Sequence, residues 1–183
     1  MPSVTDRYRA ARDQLLDLRG KHDEAVADFT WPNLGGQFNW AVDWFDVIAR
    51  GNDRPALIIV EEDGRRAQVS FDAMARASDQ VAAWLAARGV GKGDSVIVML
   101  GNQVELWSTM LGVMKLGAVI MPTTTALGPS DLRDRIERGE ARVVVCNPVD
   151  TSKFDGLTDG LLTVSVGEVL GWENLLTAYD TPA

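Results

Sequence analysis

Two residue types that often carry chemistry occur once each in this chain. Cys146 lies in the apolar run "ARVVVCN", and His22 lies in the charged segment "LRGKHDEAV". A free cysteine in an apolar run usually packs as a small hydrophobic side chain, and no neighbouring group would activate this thiol. One histidine and one cysteine cannot form a His/Cys metal cluster. We therefore expect no cysteine nucleophile, no Ser-His-Asp arrangement and no metal site.

The glycine-rich segment "GVGKGD" (residues 89–94) contains the Gly-Lys pair of phosphate-binding loops. A Walker A loop also needs an earlier glycine and a Ser or Thr after the lysine, where this chain has Ala86 and Gly93. A dinucleotide-binding loop follows a strand and opens a helix, whereas this segment follows a predicted helix and precedes a predicted strand. We interpret it as a helix-to-strand turn.

Three consecutive threonines follow the apolar run "AVIMP" (residues 118–122) and precede a charged helix pattern. Ligands of open α/β sheets bind beyond the carboxyl ends of the strands, and Pro122 ends the predicted strand because proline cannot donate a ladder hydrogen bond. Small hydroxyl side chains there would suit an amide-bearing ligand that lies close to the backbone. The alternative is that Thr123, Thr124 and Thr125 cap and solvate a loop. Composition does not decide between these two interpretations.

The elements that position this loop are buried strands that alternate with helices. Apolar runs predict strands over 94–100, 118–122, 141–146 and 161–166, and helical spacing predicts helices over 72–88, 102–117, 129–139 and 168–179. This alternation predicts a doubly wound α/β fold, with a mostly parallel sheet and helices on both faces. A β-hairpin around Asp63–Gly64 and N-terminal helices, including one over residues 3–28, precede it.

Composition and charge limit the partners and the compartment. The 183 residues are 46% hydrophobic and 24% charged, as in an ordinary globular protein, and the net charge is -8. That charge argues against nucleic acid or an anionic membrane as a partner, because phosphate contacts need clustered Lys and Arg. A single cysteine excludes an internal disulfide. The charged N-terminus is not a signal peptide, and no apolar run approaches ~18 residues. We expect a cytoplasmic protein without membrane insertion.

Several motifs follow one another between residues 38 and 179. "FNWAVDWFD" precedes the hairpin, "SFDAM" opens a helix that leads into "GVGKGDSV", and "KLGAVIMP" has the pattern K-x-G-A-V-x-x-P. Their order and spacing resemble the N-terminal part of the acyl-activating superfamily of adenylate-forming enzymes, most of all the medium-chain acyl-CoA synthetases. The chain departs at Ala73–Met74, where the family usually has Glu-Leu, and we take that position as structural.

The resemblance implies an N-terminal fragment of an ATP-dependent acyl-CoA synthetase. Such enzymes use ATP and Mg²⁺ to convert a carboxylic acid to an acyl-adenylate, and then CoA to form the thioester. Their "TSGTTGxPK" phosphate loop, magnesium-binding Glu, ribose-binding Asp and C-terminal catalytic lysine have no counterpart motif in these 183 residues. The resemblance therefore implies a helical extension over residues 1–37 and an incomplete α/β subdomain over 38–183. It also implies that the rest of the parent chain is the partner, that the fragment alone is inactive, and that none of ATP, Mg²⁺ and CoA binds tightly to the fragment.

The resemblance also assigns site residues for CoA. The loop that lines the channel for the pantetheine arm of CoA in related synthetases corresponds here to Thr124, Thr125 and Ala126. Some relatives have "FGGF" where this chain has "TTAL", which makes close backbone approach less free. A basic group near the CoA nucleotide corresponds to Lys153. The alternative function is a stand-alone, non-catalytic α/β module for small-molecule binding or assembly. The sequence leaves a homo-oligomer open.

Overall fold

The chain folds as two units, residues 1–48 and 49–183, and the computed structural model describes residues 2–180. The first unit contains α1 (Val4–Asp17), α2 (His22–Asp28) and a π-helical segment (Trp40–Asp46) that continues into α3 (Val47–Ala49). The single helix predicted over residues 3–28 is therefore wrong. Gly20 lies between α1 and α2 with φ 80°, a left-handed conformation that suits glycine and interrupts the helix.

Aromatic side chains link the π-helical segment to α1 within the first unit. The ring of Tyr8 lies 5.0 Å from the ring of Phe38 and 4.9 Å from that of Trp44, measured between centroids. Aromatic pairs at this separation attract one another beyond the area that they bury. Residues 38–48 accordingly group with the N-terminal helices, whereas the sequence-based boundary between residues 37 and 38 lies earlier in the chain.

The second unit begins with a hairpin and a long helix. Strands β1 (Pro55–Val60) and β2 (Arg66–Ser70) are antiparallel, and Gly64 lies in the turn between them with φ 83°. The predicted hairpin is confirmed. Helix α4 (Phe71–Ala86) follows directly, and the Oγ of Ser70 accepts a hydrogen bond from the backbone N–H of Ala73 at 3.2 Å. Ser70 thus satisfies an N–H group that the first helical turn leaves open.

Five parallel strands form the main sheet. They are β3 (Ser95–Met99), β4 (Val119–Pro122), β5 (Ala141–Cys146), β6 (Leu162–Ser165) and β7 (Glu173–Asn174), in the order β4-β3-β5-β6-β7. Helix α5 (Val104–Lys115) connects β3 to β4, and helix α6 (Pro129–Arg138) connects β4 to β5. Short 3-10 segments follow β5 (Pro148–Phe154) and β7 (Leu175–Asp180).

Alternate residues of the strands pack into two separate cores, one on each face of the sheet. On one face, Val96 and Val145 pack with Leu85 of α4 and Val113 of α5. On the other face, strand residues pack with Leu132 of α6 and with residues of the 3-10 segment after β5. A strand covered on both sides must be apolar at every position, which explains the valine-rich runs. The predicted doubly wound fold is confirmed.

The predicted helix over residues 168–179 is wrong. The chain there forms the short strand β7 and the last 3-10 segment instead. Gly167 and Gly171 adopt φ 126° and 81°, and the side-chain oxygen of Asn174 accepts hydrogen bonds from the N–H groups of Gly167 and Leu176. These turns, together with the pairing of β7 on β6, hold the backbone away from helical geometry.

The glycine-rich segment at residues 89–94 is a turn between α4 and β3, as predicted. Its backbone donors are used within the chain: the N–H of Gly91 bonds to the Asp94 carboxylate at 2.8 Å, and the N–H of Gly93 bonds to the carbonyl of Gly117 at 3.0 Å. The Gly91 bond is the main reason that the pKa of Asp94 is lowered. The segment therefore stabilises the start of β3 and does not present its amides to a phosphate.

Helices α4 and α5 lie against each other through a small residue and an ion pair. A Cβ atom at Gly112 would lie 2.9 Å from Cγ1 of Val81, so only glycine allows this approach without a shift. Beside it, the Nζ of Lys115 donates to Oδ1 of Asp79 at 2.6 Å and to the carbonyl of Ala75 at 3.2 Å. The lysine of the K-x-G-A-V-x-x-P motif is thus a link between two helices.

Among the helices of residues 2–180, none is long and apolar enough to cross a membrane.

Candidate functional site

The order of the sheet reverses between β3 and β5. From β3 the chain moves outward to β4, passes back across β3 to β5, and continues outward to β6 and β7. In open α/β sheets, such a switch point forms a crevice beyond the carboxyl ends of the strands, and ligands bind there. The segments after β3, β4 and β5 supply the residues that we call the carboxyl-edge cluster: Gln103, Thr124, Thr125, Ala126, Asn147, Asp150 and Lys153.

The three threonines after β4 differ in their surroundings. Thr123 is buried, and its N–H donates to the carbonyl of Val98 at 3.0 Å, which extends the pairing of β4 with β3 beyond Pro122. The Oγ1 of Thr124 accepts a hydrogen bond from the N–H of Ala126 at 3.2 Å, as expected for a threonine that caps a loop. Thr124, Thr125 and Ala126 are exposed. The loop therefore forms a hydrogen bond of its own, and its residues are still exposed to solvent.

Lys153 lies beside this loop. Its Nζ donates to the carbonyl oxygen of Thr125 at 2.5 Å and to Oδ1 of Asp150 at 2.6 Å. The side chain of Asp150 is 8% exposed and that of Lys153 is 29% exposed. Because β4 and β5 flank β3, this ammonium joins the segments that leave the two neighbours of β3. The structure thus brings Lys153 together with the threonine loop, as the sequence-based assignment requires.

A pair of side-chain amides connects the segments after β3 and β5. The Nδ2 of Asn147 donates to Oε1 of Gln103 at 2.9 Å, across the point where the sheet order reverses. Sequence reasoning missed Gln103, Asn147 and Asp150. Sequence signals could have found two of them: Asn147 directly follows a predicted strand, and Asp150 precedes Lys153 by three residues, a spacing that lets acid and base side chains meet on one face of a helical turn.

Cys146 ends β5 directly below the cluster and is fully buried. The pKa of its thiol is raised to about 12, mainly by burial and in smaller part by the negative charge of Asp150, while the positive charge of Lys153 partly opposes the rise. The reactive thiolate is therefore scarce at neutral pH.

Next to Cys146 in the sheet, the Oγ of Ser165 is buried without a hydrogen-bond partner among residues 2–180.

His22 is remote from this cluster in the sequence. It is exposed at the start of α2 in the first unit. Within the part of the chain that the structure describes, no group of three or more His, Cys, Asp and Glu side chains is arranged to hold a metal ion. The donor set of the carboxyl-edge cluster consists of amides, hydroxyls, backbone groups and one lysine paired with a carboxylate. Such donors suit hydrogen bonding to a neutral amide or hydroxyl chain.

Comparison with curated proteins gives several relatives. The chain is 31% identical over 175 residues to human mitochondrial acyl-coenzyme A synthetase ACSM2B, a match that covers 88% of this chain and 29% of that protein. It is 30% identical over 144 residues to YtcI, an uncharacterised acyl-CoA ligase of Bacillus subtilis. That match covers 77% of this chain and 27% of the relative. The chain thus spans less than a third of the length of these relatives.

Solved structures show the same fold. The crystal structure of a Brucella canis acyl-CoA synthetase superposes with a TM-score of 0.77 at 26% identity, over 88% of this chain and 32% of that chain. The inhibitor-bound N-terminal domain of FACL13 from Mycobacterium tuberculosis gives a TM-score of 0.62 at 19% identity, over 79% and 35% of the two chains. The family model described as AMP-binding enzyme matches residues 44–178. Because that match covers most of the chain, this protein belongs to the AMP-binding enzyme family.

Proposed function

We propose that this chain is the N-terminal part of an ATP-dependent acyl-CoA synthetase of the medium-chain kind. The observation that carries the proposal is the family match over residues 44–178, together with relatives that are named acyl-CoA ligases and synthetases. In the whole enzyme, a carboxylate attacks the α-phosphate of ATP to give an acyl-adenylate and pyrophosphate. The thiol of CoA then displaces AMP to give the acyl-CoA. The carboxylic acid and the rest of the parent chain are the proposed partners.

ATP and Mg²⁺ do not fit the residues that this chain supplies. In the glycine-rich segment at residues 89–94, the N–H of Gly91 bonds to Asp94 and that of Gly93 bonds to Gly117, and among residues 2–180 no group of three or more His, Cys, Asp and Glu side chains is arranged to hold a metal ion. Stabilisation of developing phosphate charge requires donors aimed at that charge. The ammonium of Lys153 is already paired with Asp150. We therefore propose that this chain does not catalyse adenylation by itself and that other residues of the parent enzyme bind ATP and Mg²⁺.

CoA is the ligand that the carboxyl-edge cluster suits best. The pantetheine arm is a slim chain with two amides, and it needs hydrogen-bonding groups along a surface of small side chains. Thr124, Thr125 and Ala126 are exposed, and they offer three small side chains, two of which carry a hydroxyl group, at the sheet edge where ligands bind. We propose that these residues line the CoA channel, with Lys153 beside them. The single buried cysteine supports a reducing, cytoplasmic location.

Carboxylate-dependent exchange between ATP and pyrophosphate tests this function. The 183-residue chain is assayed beside a version extended through its native downstream sequence, with medium-chain acids as substrates. We expect exchange in the extended protein alone. Exchange in the 183-residue chain would contradict the claim that it lacks an adenylation site. Absence of exchange in both proteins would instead favour a non-catalytic binding or assembly module.

A further inference from the structure

We propose that Lys153 acts in the CoA channel by holding the loop of Thr124, Thr125 and Ala126 in place, and that Asp150 positions Lys153 for this task. The inference rests on the proposed function, because the loop is assigned to CoA there. Lys153 and Asp150 are then positioning residues: they act on the ligand through the loop and not by touching a CoA phosphate.

The first argument is the set of hydrogen bonds around the lysine. An ammonium group has three N–H donors. One of them bonds to the carbonyl oxygen of Thr125 at 2.5 Å, and another bonds to Oδ1 of Asp150 at 2.6 Å. A lysine placed to attract the phosphates of CoA would keep its charge free in solvent, whereas here a carboxylate in direct contact neutralises it.

The second argument is that Lys153 joins a firmly packed segment, the one after β5, to an exposed loop, the one after β4. Asp150 and Lys153 lie on the 3-10 segment Pro148–Phe154, where Phe154 is fully buried and contacts the ring of Trp172 at 6.0 Å between centroids. The N–H of Asp150 also donates to the carbonyl of Asn147 at 2.9 Å. The segment after β5 is therefore anchored in the core and can serve as the fixed side.

The loop after β4 is the side that needs support. Its residues are exposed, and its internal hydrogen bonds are the long ones from Ala126 N–H to Thr124 Oγ1 at 3.2 Å and from Leu127 N–H to the Thr124 carbonyl at 3.3 Å. Exposed backbone with weak local bonds opens readily. A charged donor on the Thr125 carbonyl stabilises one conformation of this exposed loop.

Asp150 is needed because lysine has a flexible stem. Without a fixed acceptor, the four-carbon side chain of Lys153 would sample many rotamers and its ammonium would return to water. The carboxylate of Asp150 is nearly enclosed and lies three residues away on the same turn, so it selects the rotamer that reaches Thr125. By contrast, Lys21 and Glu24 have the same spacing at the start of α2, but their side chains are both more than half exposed and the Nζ–Oε2 distance is 3.4 Å.

Backbone dynamics measured by NMR test the role of the link in the 183-residue chain. We compare Lys153→Met, Lys153→Arg and Asp150→Asn with the unaltered chain, and use Lys21→Met as the matched control. Amide order parameters at Thr125 and Ala126 are expected to fall from about 0.85 to below about 0.6 in Lys153→Met and Asp150→Asn. The control should leave them unchanged, and Lys153→Arg should retain part of the order. Unchanged order parameters in Lys153→Met would overturn the proposal.

Titration of the same proteins with CoA distinguishes a positioning role from direct phosphate contact. If Lys153 contacted a CoA phosphate, Asp150→Asn would remove a nearby negative charge and tighten CoA binding. If Asp150 positions Lys153, the same change should weaken binding, and by a similar factor to Lys153→Met. Tighter binding by Asp150→Asn would therefore overturn the proposal. If only the version extended through its native downstream sequence binds CoA, the same substitutions are titrated in that protein. If neither protein binds CoA, the assignment of the loop to CoA fails, while the order parameters still decide whether Lys153 and Asp150 hold the loop.

Discussion

Replacing Lys115 by methionine should destabilise the second unit through one ion pair between α4 and α5. The side chain of Lys115 is 7% exposed, and its Nζ lies 2.6 Å from Oδ1 of Asp79. Asp79 is 24% exposed and also pairs with Arg50 at 2.5 Å. Methionine retains most of the apolar stem, so the substitution removes the charge and the hydrogen bonds with little loss of packing.

The size of the effect follows from the burial of each partner. Breaking a fully buried ion pair from one side costs about 3–5 kcal/mol, and an exposed pair contributes about 0–1 kcal/mol. Asp79 stands between these limits, because it is partly hydrated and keeps Arg50. The carbonyl of Ala75 loses a donor as well. We expect the free energy of unfolding to fall by about 2 kcal/mol, close to that of one hydrogen bond to a charged group.

Urea unfolding followed by far-UV circular dichroism measures this change. With a slope of about 2 kcal/mol per molar urea, the midpoint should fall by about 1 M. Lys21→Met removes an exposed lysine and should change stability by no more than about 0.5 kcal/mol. The double variant Asp79→Asn with Lys115→Met should lose less than the sum of the single losses. A loss below about 0.5 kcal/mol for Lys115→Met would refute the assigned role of this pair.

Three further substitutions test the fold around the site. The pKa of the Cys146 thiol is about 12 in the native state against 9.0 for an ordinary cysteine, so the thiol loses its proton at a lower pH in the unfolded state than in the native state. The resulting contribution to stability is complete below pH 9 and is lost as pH rises towards 12. Between pH 8 and 10.5 the unaltered chain should therefore lose about 2 kcal/mol more than Cys146→Ala, measured by urea unfolding at both pH values. Gly117→Ala should cost about 1–2 kcal/mol because Gly117 has φ 68°, whereas Gly101→Ala, at a position with open space and no positive φ, should cost much less in the same assay. Ser165→Ala removes a buried hydroxyl that lacks a partner among the described residues and should raise the thermal midpoint or leave it unchanged; a clear fall would reveal a hydrogen bond at Ser165.

The sheet could be predicted from sequence because its strands are covered on both faces. A continuous run such as "ARVVVC" is required by such burial, and the strand at Ala141–Cys146 has the predicted bounds. The segment after β6 was predicted wrongly for a different reason. Its apolar residues recur at helical spacing, but left-handed glycines at 167 and 171 and the pairing of β7 with β6 determine its structure. Tertiary pairing overrides local periodicity there.

The place of the threonine loop at the end of a strand was predictable from the sequence, but the hydrogen bonds around it were not. A proline that ends a strand, followed by threonines, located the loop at the ligand-binding edge. The bond from Lys153 to Thr125 joins residues 28 apart, and the bond from Asn147 to Gln103 joins residues 44 apart. Such separations have no periodic signal in the sequence, because they depend on which strands become neighbours. The assignment of Lys153 to the channel came from family resemblance alone.

The strand order has a consequence for how the protein is made. Strand β3 leaves the ribosome first among the strands of this sheet, β4 then adds to one side of it, and β5 adds to the other. Each of β6 and β7 in turn finds its neighbour already synthesised. Apart from β3, each strand of this sheet has one partner that is translated before it. Because synthesis at about 5–20 residues per second is slow compared with the closure of short connections, the sheet can assemble stepwise as it emerges.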